Sequence, residues 1–271
     1  MTTTATFEEL LTVAKGPEGT KTLIVTGAGV SLASGIPTFR GPDPGAVWAN
    51  DVTEKGTRAY YKRVPHESWL WYLKRFELAR GVKPNDAHRA LVAWEQWQAR
   101  HQRDFLLVTQ NVDTLHEQAG SRGLVKVHGS LDEARCTRLR CKHGPPWGTI
   151  PIAQLDFGPL HADPSPETVP RCPECKSKLR PHVLWFDELY SEHESYQFDH
   201  VLLSAKRATL VVFIGTSFSV GVTEAVSQRG LKNGAQVFSI DPSGISPSPR
   251  IRVVAAQAEL VLPRLVAALP D

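Results

Sequence analysis

Thr22-Leu-Ile-Val-Thr26, running directly into Gly27-Ala-Gly29, decides how this chain is read. A short continuous apolar run is a strand buried on both faces, the kind found in parallel sheets. Glycines placed immediately after such a strand mark the opening of a doubly wound α/β domain. Outward from this point the same pattern recurs. Asp104-Phe-Leu-Leu-Val-Thr109 leads into Gln110-Asn111-Val112-Asp113, and Leu124–Val127 leads into His128-Gly129. Thr209-Leu-Val-Val-Phe-Ile214 leads into Gly215-Thr216-Ser217, and Gln236–Ile240 leads into Asp241-Pro242. Helical periodicity separates these strands. The spacing predicts helices near Phe7–Val13, from a cap at Asn85 or Asp86 through Trp97, up to Gly120, near Glu192–Ala205, near Thr223–Lys232 and over about Glu259–Leu269. Alternating strands and helices predict a parallel sheet covered on both sides.

Two segments fall outside that alternation. Residues 41–84 are polar and aromatic, with helices expected near Thr53–Arg63 and His66–Arg80. Residues 131–181 are rich in Pro, Arg and Cys with weak periodicity. We therefore expect a large α/β domain from residues 1–40, 85–130 and 182–271, with 41–84 and 131–181 inserted into it. Fifty residues without an obvious core need another source of stability, which a metal supplies.

All four cysteines of the 271-residue chain, Cys136, Cys141, Cys172 and Cys175, fall in the second insertion. Their spacing, C-x4-C and then C-x2-C, suits two knuckles closing on a four-thiolate structural Zn2+. The competing reading is a set of unrelated buried or redox cysteines. The N-terminus lacks the basic and apolar regions of a secretory signal, and its two acidic residues and absence of Arg disfavour a presequence. No apolar run is long enough to cross a bilayer. A cytoplasmic location is expected, with no membrane association. Lys and Arg total 31 against 28 Asp and Glu, a net charge of +3, so no direct nucleic-acid partner is expected. An apolar fraction of 41% excludes a disordered chain.

The motifs at the strand ends carry the chemistry. Gly27-Ala-Gly-Val-Ser-Leu-Ala-Ser-Gly35 has the form G-x-G-x5-G, unlike the usual dinucleotide fingerprint. Its glycines let the backbone approach a pyrophosphate, or simply make a strand-to-helix turn. Asn111 and Asp113 lie where open sheets bind ligands, although either could also cap a helix. His128 is placed to act as a general base near neutral pH, or it is a packed or surface histidine.

Taken together and in this order, the motifs resemble the sirtuins, NAD-dependent protein-lysine deacylases. The resemblance spans about residues 20–260. Gly27-Ala-Gly-Val-Ser with Ser-Gly-Ile-Pro-Thr-Phe-Arg-Gly41 is similar to the family's cofactor loop. Thr109-Gln-Asn-Val-Asp-Thr-Leu-His-Glu-Gln-Ala-Gly120 resembles its nicotinamide segment, and Val127-His-Gly-Ser-Leu131 its catalytic histidine motif. The paired cysteines resemble its zinc ribbon. The resemblance implies a Rossmann-like large domain and a small domain made of the ribbon and the helical insertion. It implies that Gly27, Ala28, Gly29 and Ser31 line NAD under a loop carrying Phe39 and Arg40. It implies that Gln110, Asn111 and Asp113 hold nicotinamide and its ribose, and that Gly215, Thr216, Ser217 and Asp241 face the adenosine half. In the family mechanism the acyl-amide oxygen attacks the nicotinamide ribose and expels nicotinamide. The base, here His128, then activates a ribose hydroxyl, giving free lysine and O-acyl-ADP-ribose. Pro181–Glu188, with Val183, Trp185 and Phe186, is implied to pair with an extended acylated-lysine peptide, and a monomer is expected.

Three residues depart from the common family pattern: Thr38 for Asp, Asp187 for Gly and Asp241 for Asn. Thr38 is usual in a branch that carries Tyr-x-x-Arg, matched here by Tyr72-Leu-Lys-Arg75. There the pair binds the carboxylate of succinyl-, malonyl- or glutaryl-lysine, and Gly56 supplies a small residue that widens the pocket. A guanidinium and a phenol make a directional carboxylate site. The other reading of Trp69–Arg80 is an amphipathic helix with Tyr72 packed and Arg75 solvated. Rival functions are an NAD glycohydrolase or ADP-ribosyltransferase in the same pocket, and a non-catalytic NAD sensor. A dinucleotide oxidoreductase is disfavoured by the missing G-x-G-x-x-G.

Overall fold

The structure is a computed structural model and describes residues 2–38 and 52–270. Among the described residues, ten strands form two sheets. The strands are β1 (Thr3–Thr4), β2 (Lys21–Thr26), β3 (Asp104–Thr109), β4 (Leu124–Lys126), β5 (Gly129–Cys136), β6 (Ile150–Pro151), β7 (Leu179–Val183), β8 (Leu210–Ile214), β9 (Gln236–Ile240) and β10 (Arg252–Val254). The α-helices are α1 (Phe7–Lys15), α2 (Val52–Lys55), α3 (Arg58–Arg63), α4 (Pro65–Ala79), α5 (Asp86–Arg100), α6 (Leu115–Ala119), α7 (Gly158–Ala162), α8 (Phe198–Arg207), α9 (Gly221–Lys232) and α10 (Ala258–Ala267).

The large sheet runs β1-β10-β9-β8-β2-β3-β4, parallel throughout. Because side chains alternate along a strand, each strand feeds two cores. Ile24, Leu107, Val212 and Phe238 pack under α1, α5 and α10. Leu23, Val108, Phe213 and Val237 pack on the opposite side with Val201 of α8 and Val226 of α9. This is the doubly wound Rossmann-like α/β architecture. The chain leaves β2 towards β3 and β4 on one side, and later returns to place β8 and β9 on the other. That makes the β2/β8 boundary a topological switch point. Three of the five motif-bearing strand ends, at Gly27, Gln110 and Gly215, therefore emerge side by side.

The small sheet, β6-β5-β7, is antiparallel. It shares one apolar cluster with the helical insertion: Tyr61, Trp69 and Leu73 pack with Leu131, Ile150, Leu179 and Trp185. Residues 131–181 thus have a core after all, completed by Tyr61, Trp69, Tyr72 and Leu73 of the other insertion. Trp69 Nε1 and the Tyr61 hydroxyl both donate to the Leu179 carbonyl, at 2.8 and 2.7 Å.

Several boundaries differ from expectation for local reasons. The helix expected over Thr53–Arg63 is two helices, because Thr57 Oγ1 accepts from Tyr60 N at 3.1 Å and starts α3 anew. The helix expected from Glu192 begins at Phe198, after two 3-10 turns, because Gln197 takes the left-handed conformation (φ +47°). A 3-10 helix over Ala28–Ser34 follows the glycine loop and ends at left-handed Gly35. The strand expected over Pro181–Glu188 ends at Val183; Phe186 and Asp187 form a turn instead. Among the described residues no helix is long and apolar enough to cross a membrane.

Candidate active site

The glycine loop and the end of β8 interlock. A Cβ on Gly27 would lie 2.7 Å from the Gly215 carbonyl oxygen, and one on Gly29 would lie 2.7 Å from the Gly215 Cα. Gly215 itself is left-handed (φ +58°), and its own Cβ would meet Val30 N at 2.6 Å. Three glycines let two backbones touch where side chains cannot fit. The Gly27 and Gly29 amides donate to the carbonyls of Ile214 and Gly215, both at 2.9 Å. These two amides are committed within the protein, so they hold the loop against β8. Asn85, the predicted helix cap, accepts from Ala87 N and also donates to Val30 O and Ser34 Oγ at 2.8 and 2.9 Å. It ties the glycine loop to α5.

Asn111 and Asp113 are buried at the end of β3. Asn111 Nδ2 donates to Gly27 O and to Ser31 Oγ, each at 3.1 Å. The Ser31 hydroxyl donates to Asp113 Oδ2 at 2.9 Å, and Leu115 N donates to Asp113 Oδ1 at 3.0 Å. Burial holds the Asp113 carboxyl above its usual range, although these two donors and Lys126 favour the ionised form. Gln110 Nε2 donates to Thr26 O at 3.0 Å and Thr216 Oγ1 at 3.2 Å, bridging the ends of β2 and β8. Ser217 and Asp241 stand at the neighbouring strand ends. Asp241 Oδ1 accepts from Ser243 N, and Ser217 Oγ lies 2.8 Å from Ser219 Oγ. Phe39 and Arg40 lie outside the described residues.

His128 sits where the chain passes from the large sheet into β5. Its Nδ1 lies 2.9 Å from the Gln110 carbonyl oxygen. That oxygen can only accept, so Nδ1 carries the ring proton and Nε2 is the basic nitrogen. Burial lowers its pKa to about 4, against the opposing pull of the Gln110 carbonyl. The ring is therefore neutral at pH 7, as a proton acceptor must be.

A cleft beside this site is lined by Ala28, Ser31, Arg75, Asn111, Asp113 and Leu131. Arg75 reaches its wall; Nη1 donates to the Trp71 carbonyl at 2.8 Å and the guanidinium lies over the Trp71 ring. Tyr72 sits behind it, buried, its hydroxyl accepting from Trp185 Nε1 at 2.8 Å. An indole N–H only donates, so the Tyr72 O–H retains its proton for an acceptor. Val183 ends β7 opposite Gly129. Trp185 is only 2% exposed and belongs to the core, whereas Phe186 is 55% exposed.

Sequence reasoning missed a charged hub and a phenol. Glu188 is buried among Arg180, Arg135 and Arg58, accepting from Arg58 Nε at 3.0 Å and from Trp185 N at 3.1 Å. Burial alone would raise its pKa; Arg180 above all, then Arg135, bring it down to about 2. Arg58 also pairs with Glu192. Asp187, the departure from the family pattern, accepts from Arg58 N at 2.7 Å and Ala59 N at 3.1 Å, capping α3 from outside. Tyr190 Oη lies 3.1 Å from His128 Nε2. Separations of 129 to 134 residues hide the Arg58 contacts and 62 residues hide Tyr190–His128, and no motif spacing signals them.

The four cysteine Sγ atoms lie within 4.8 Å of one another. The nearest pairs are Cys136–Cys175 at 3.4 Å and Cys141–Cys172 at 3.6 Å. Tetrahedral Zn–S bonds of ~2.3 Å place sulfurs about 3.8 Å apart, so the set fits a zinc ion. Arg138 N donates to Cys136 Sγ at 3.3 Å, the outer contact expected of a thiolate knuckle.

Sheet, switch point and four-cysteine ribbon define a Rossmann-like α/β protein with its cleft at the carboxyl ends of the central strands. The chain belongs to the Sir2 family, whose sequence model matches residues 27–222. It is similar to an NAD-dependent protein deacylase of Thermus thermophilus, 36% identical over 86% of this chain and 82% of that protein. It is likewise 34% identical to an NAD-dependent protein deacylase of Mycobacterium tuberculosis, over 91% of this chain and 97% of that protein. The crystal structure of a Sir2 homologue with NAD matches with a TM-score of 0.78 and 30% identity, covering 99% of this chain and 96% of that one.

Proposed function

We propose that this chain is an NAD-dependent deacylase acting on lysine side chains of proteins, with NAD as co-substrate and a structural zinc. The observation that carries the reading is the tautomer of His128: a neutral imidazole with Nδ1–H fixed on the carbonyl of Gln110, the residue before Asn111, and Nε2 left as its basic nitrogen. NAD supplies an electrophilic ribose carbon bearing nicotinamide as leaving group. The chain's own groups do the rest. The Asp113 carboxylate, held by Ser31 and Leu115 N, orients the nicotinamide ribose and offsets positive charge as nicotinamide departs. Asn111 and Gln110 hold the nicotinamide end, and Gly215, Thr216, Ser217 and Asp241 face the adenosine half. His128 Nε2 takes a proton from a ribose hydroxyl, leaving the oxygen to attack the activated acyl carbon. In this reading the acyl-amide oxygen has already replaced nicotinamide on the ribose carbon, so addition of one water and loss of the lysine amine leave O-acyl-ADP-ribose. One solved relative, a mutant Sir2 homologue with a TM-score of 0.76 and 30% identity over 97% of this chain and 96% of that one, is in complex with 2′-O-acetyl ADP ribose.

Acidic acyl groups are the preferred substrates in this reading. Arg75 supports it: its side chain lines the same cleft as Asn111 and Asp113. A cation aligned with a carboxylate favours succinyl over acetyl. The extended acyl-lysine peptide lies along Val183 to exposed Phe186, with buried Trp185 positioning the Tyr72 phenol instead of touching the peptide. The test is turnover of an acyl-lysine peptide with NAD, in wild type and His128→Tyr. Peptide-dependent release of nicotinamide, lost in a folded, zinc-loaded variant, supports the reading; retained turnover removes His128 from it.

A further inference from the structure

His128 Nε2 has one lone pair, and Tyr190 already holds it. Since the Gln110 carbonyl fixes the ring proton on Nδ1, the contact between Nε2 and Tyr190 Oη at 3.1 Å runs in one direction: the phenol donates and the imidazole accepts. A ribose hydroxyl approaching Nε2 therefore competes with an internal donor. The placement of this phenol is built into the fold. Its ring stacks on Phe198, at 4.1 Å between centroids and 9° between planes, and lies near-parallel to His128 at 5.8 Å. Tyr190 opens a short 3-10 turn, Tyr190–Glu192. The acidic residues flanking it, Glu188 and Glu192, are both bound by Arg58 at the start of α3. Asp187 caps that same helix, and the Gly56 carbonyl accepts from Phe186 N at 3.0 Å. The segment bearing Tyr190 is thus stapled along its length to the helical insertion that forms one wall of the cleft.

We propose that Tyr190 is a latch on the base: without acyl-peptide its hydroxyl masks His128 Nε2, and productive binding requires that hydroxyl to give way to the ribose. The inference rests on the assignment of His128 as the base. It adds a positioning residue to the site, one that holds the base inactive until substrate arrives. The coupling through Arg58 gives the latch a handle, because a shift of α3 moves both anchors of the Tyr190 turn.

Tyr190→Phe tests it, since this change keeps the ring stack and removes only the donor. In the substrate-free protein, the 15N resonance of His128 Nε2 should move downfield towards that of an imidazole nitrogen that accepts no hydrogen bond. The variant's kcat/KM for acyl-peptide should rise about two- to tenfold, the scale of one lost hydrogen bond. An unchanged 15N resonance, or a fall in kcat/KM, overturns the latch. His128→Gln separates the two levels: if it retains turnover, the base assignment fails; if it is inactive while Tyr190→Phe matches wild type, only the latch fails.

Discussion

Ser31 Oγ donates to Asp113 Oδ2 at 2.9 Å across a buried boundary between the glycine loop and the end of β3. The contact joins residues 82 positions apart and makes one site of two motifs. Its carboxyl is held above its usual pKa by burial, so the ionised form is kept at a cost in stability.

Asp113→Asn should therefore be more stable than wild type at pH 7. The sign follows from the raised folded pKa: the wild-type carboxyl contributes fully below its unfolded value and loses that contribution as pH rises through the folded one. The gain in melting temperature should shrink as pH falls from the folded pKa towards that unfolded value, and be gone below it. Deacylation should drop by orders of magnitude in the same protein. A variant that is both less stable at pH 7 and fully active would contradict this account.

Glu188→Gln should act in the opposite way. Removing one charge from a buried cluster leaves Arg180 and Arg135 uncompensated, a loss of about 3–5 kcal/mol in denaturant unfolding. The folded pKa of about 2 lies below the ordinary glutamate value of 4.5. The carboxylate's stabilisation is present above that ordinary value and declines as pH falls towards 2. The difference between wild type and variant should narrow over that window.

How much of this was legible follows from where each signal lies. Thr22–Thr26 and Leu210–Ile214 announce themselves because strands buried on both faces are apolar without interruption. The Asn85 cap and the cysteine pairs are local patterns with a local cause. The strands of two or three residues at Thr3–Thr4 and Arg252–Val254 carry too few residues for any periodicity. The small sheet is hidden for another reason. Its core is completed by Tyr61 and Trp69 from the other insertion, so residues 131–181 look coreless when read alone. Glu188 and Tyr190 belong to a third kind: their roles exist only once Arg58 and His128 have been brought to them.

Chelation or Cys172→Ser should release about one zinc per chain and melt the small domain. Structural zinc contributes on the order of 10 kcal/mol to such ribbons, so deacylation should be lost and regained on zinc addition to the chelated protein. Metal analysis alongside activity checks this; full activity in zinc-free protein would contradict it.

Arg75→Met should lower kcat/KM for a succinyl peptide by an amount corresponding to about 1.5–3 kcal/mol, the scale of a hydrogen bond to a charged group. Acetyl turnover should change little. An equal loss on both substrates would assign Arg75 to packing against Trp71 instead.

The central claim is that removal of the acyl group and cleavage of NAD are one event. Mass spectrometry of purified protein with NAD and a succinyl-lysine peptide tests it most directly. The account predicts one O-succinyl-ADP-ribose and one nicotinamide for each lysine freed, and negligible nicotinamide without the peptide. Nicotinamide released at the same rate without peptide, with no acylated ADP-ribose, would contradict it and identify a glycohydrolase.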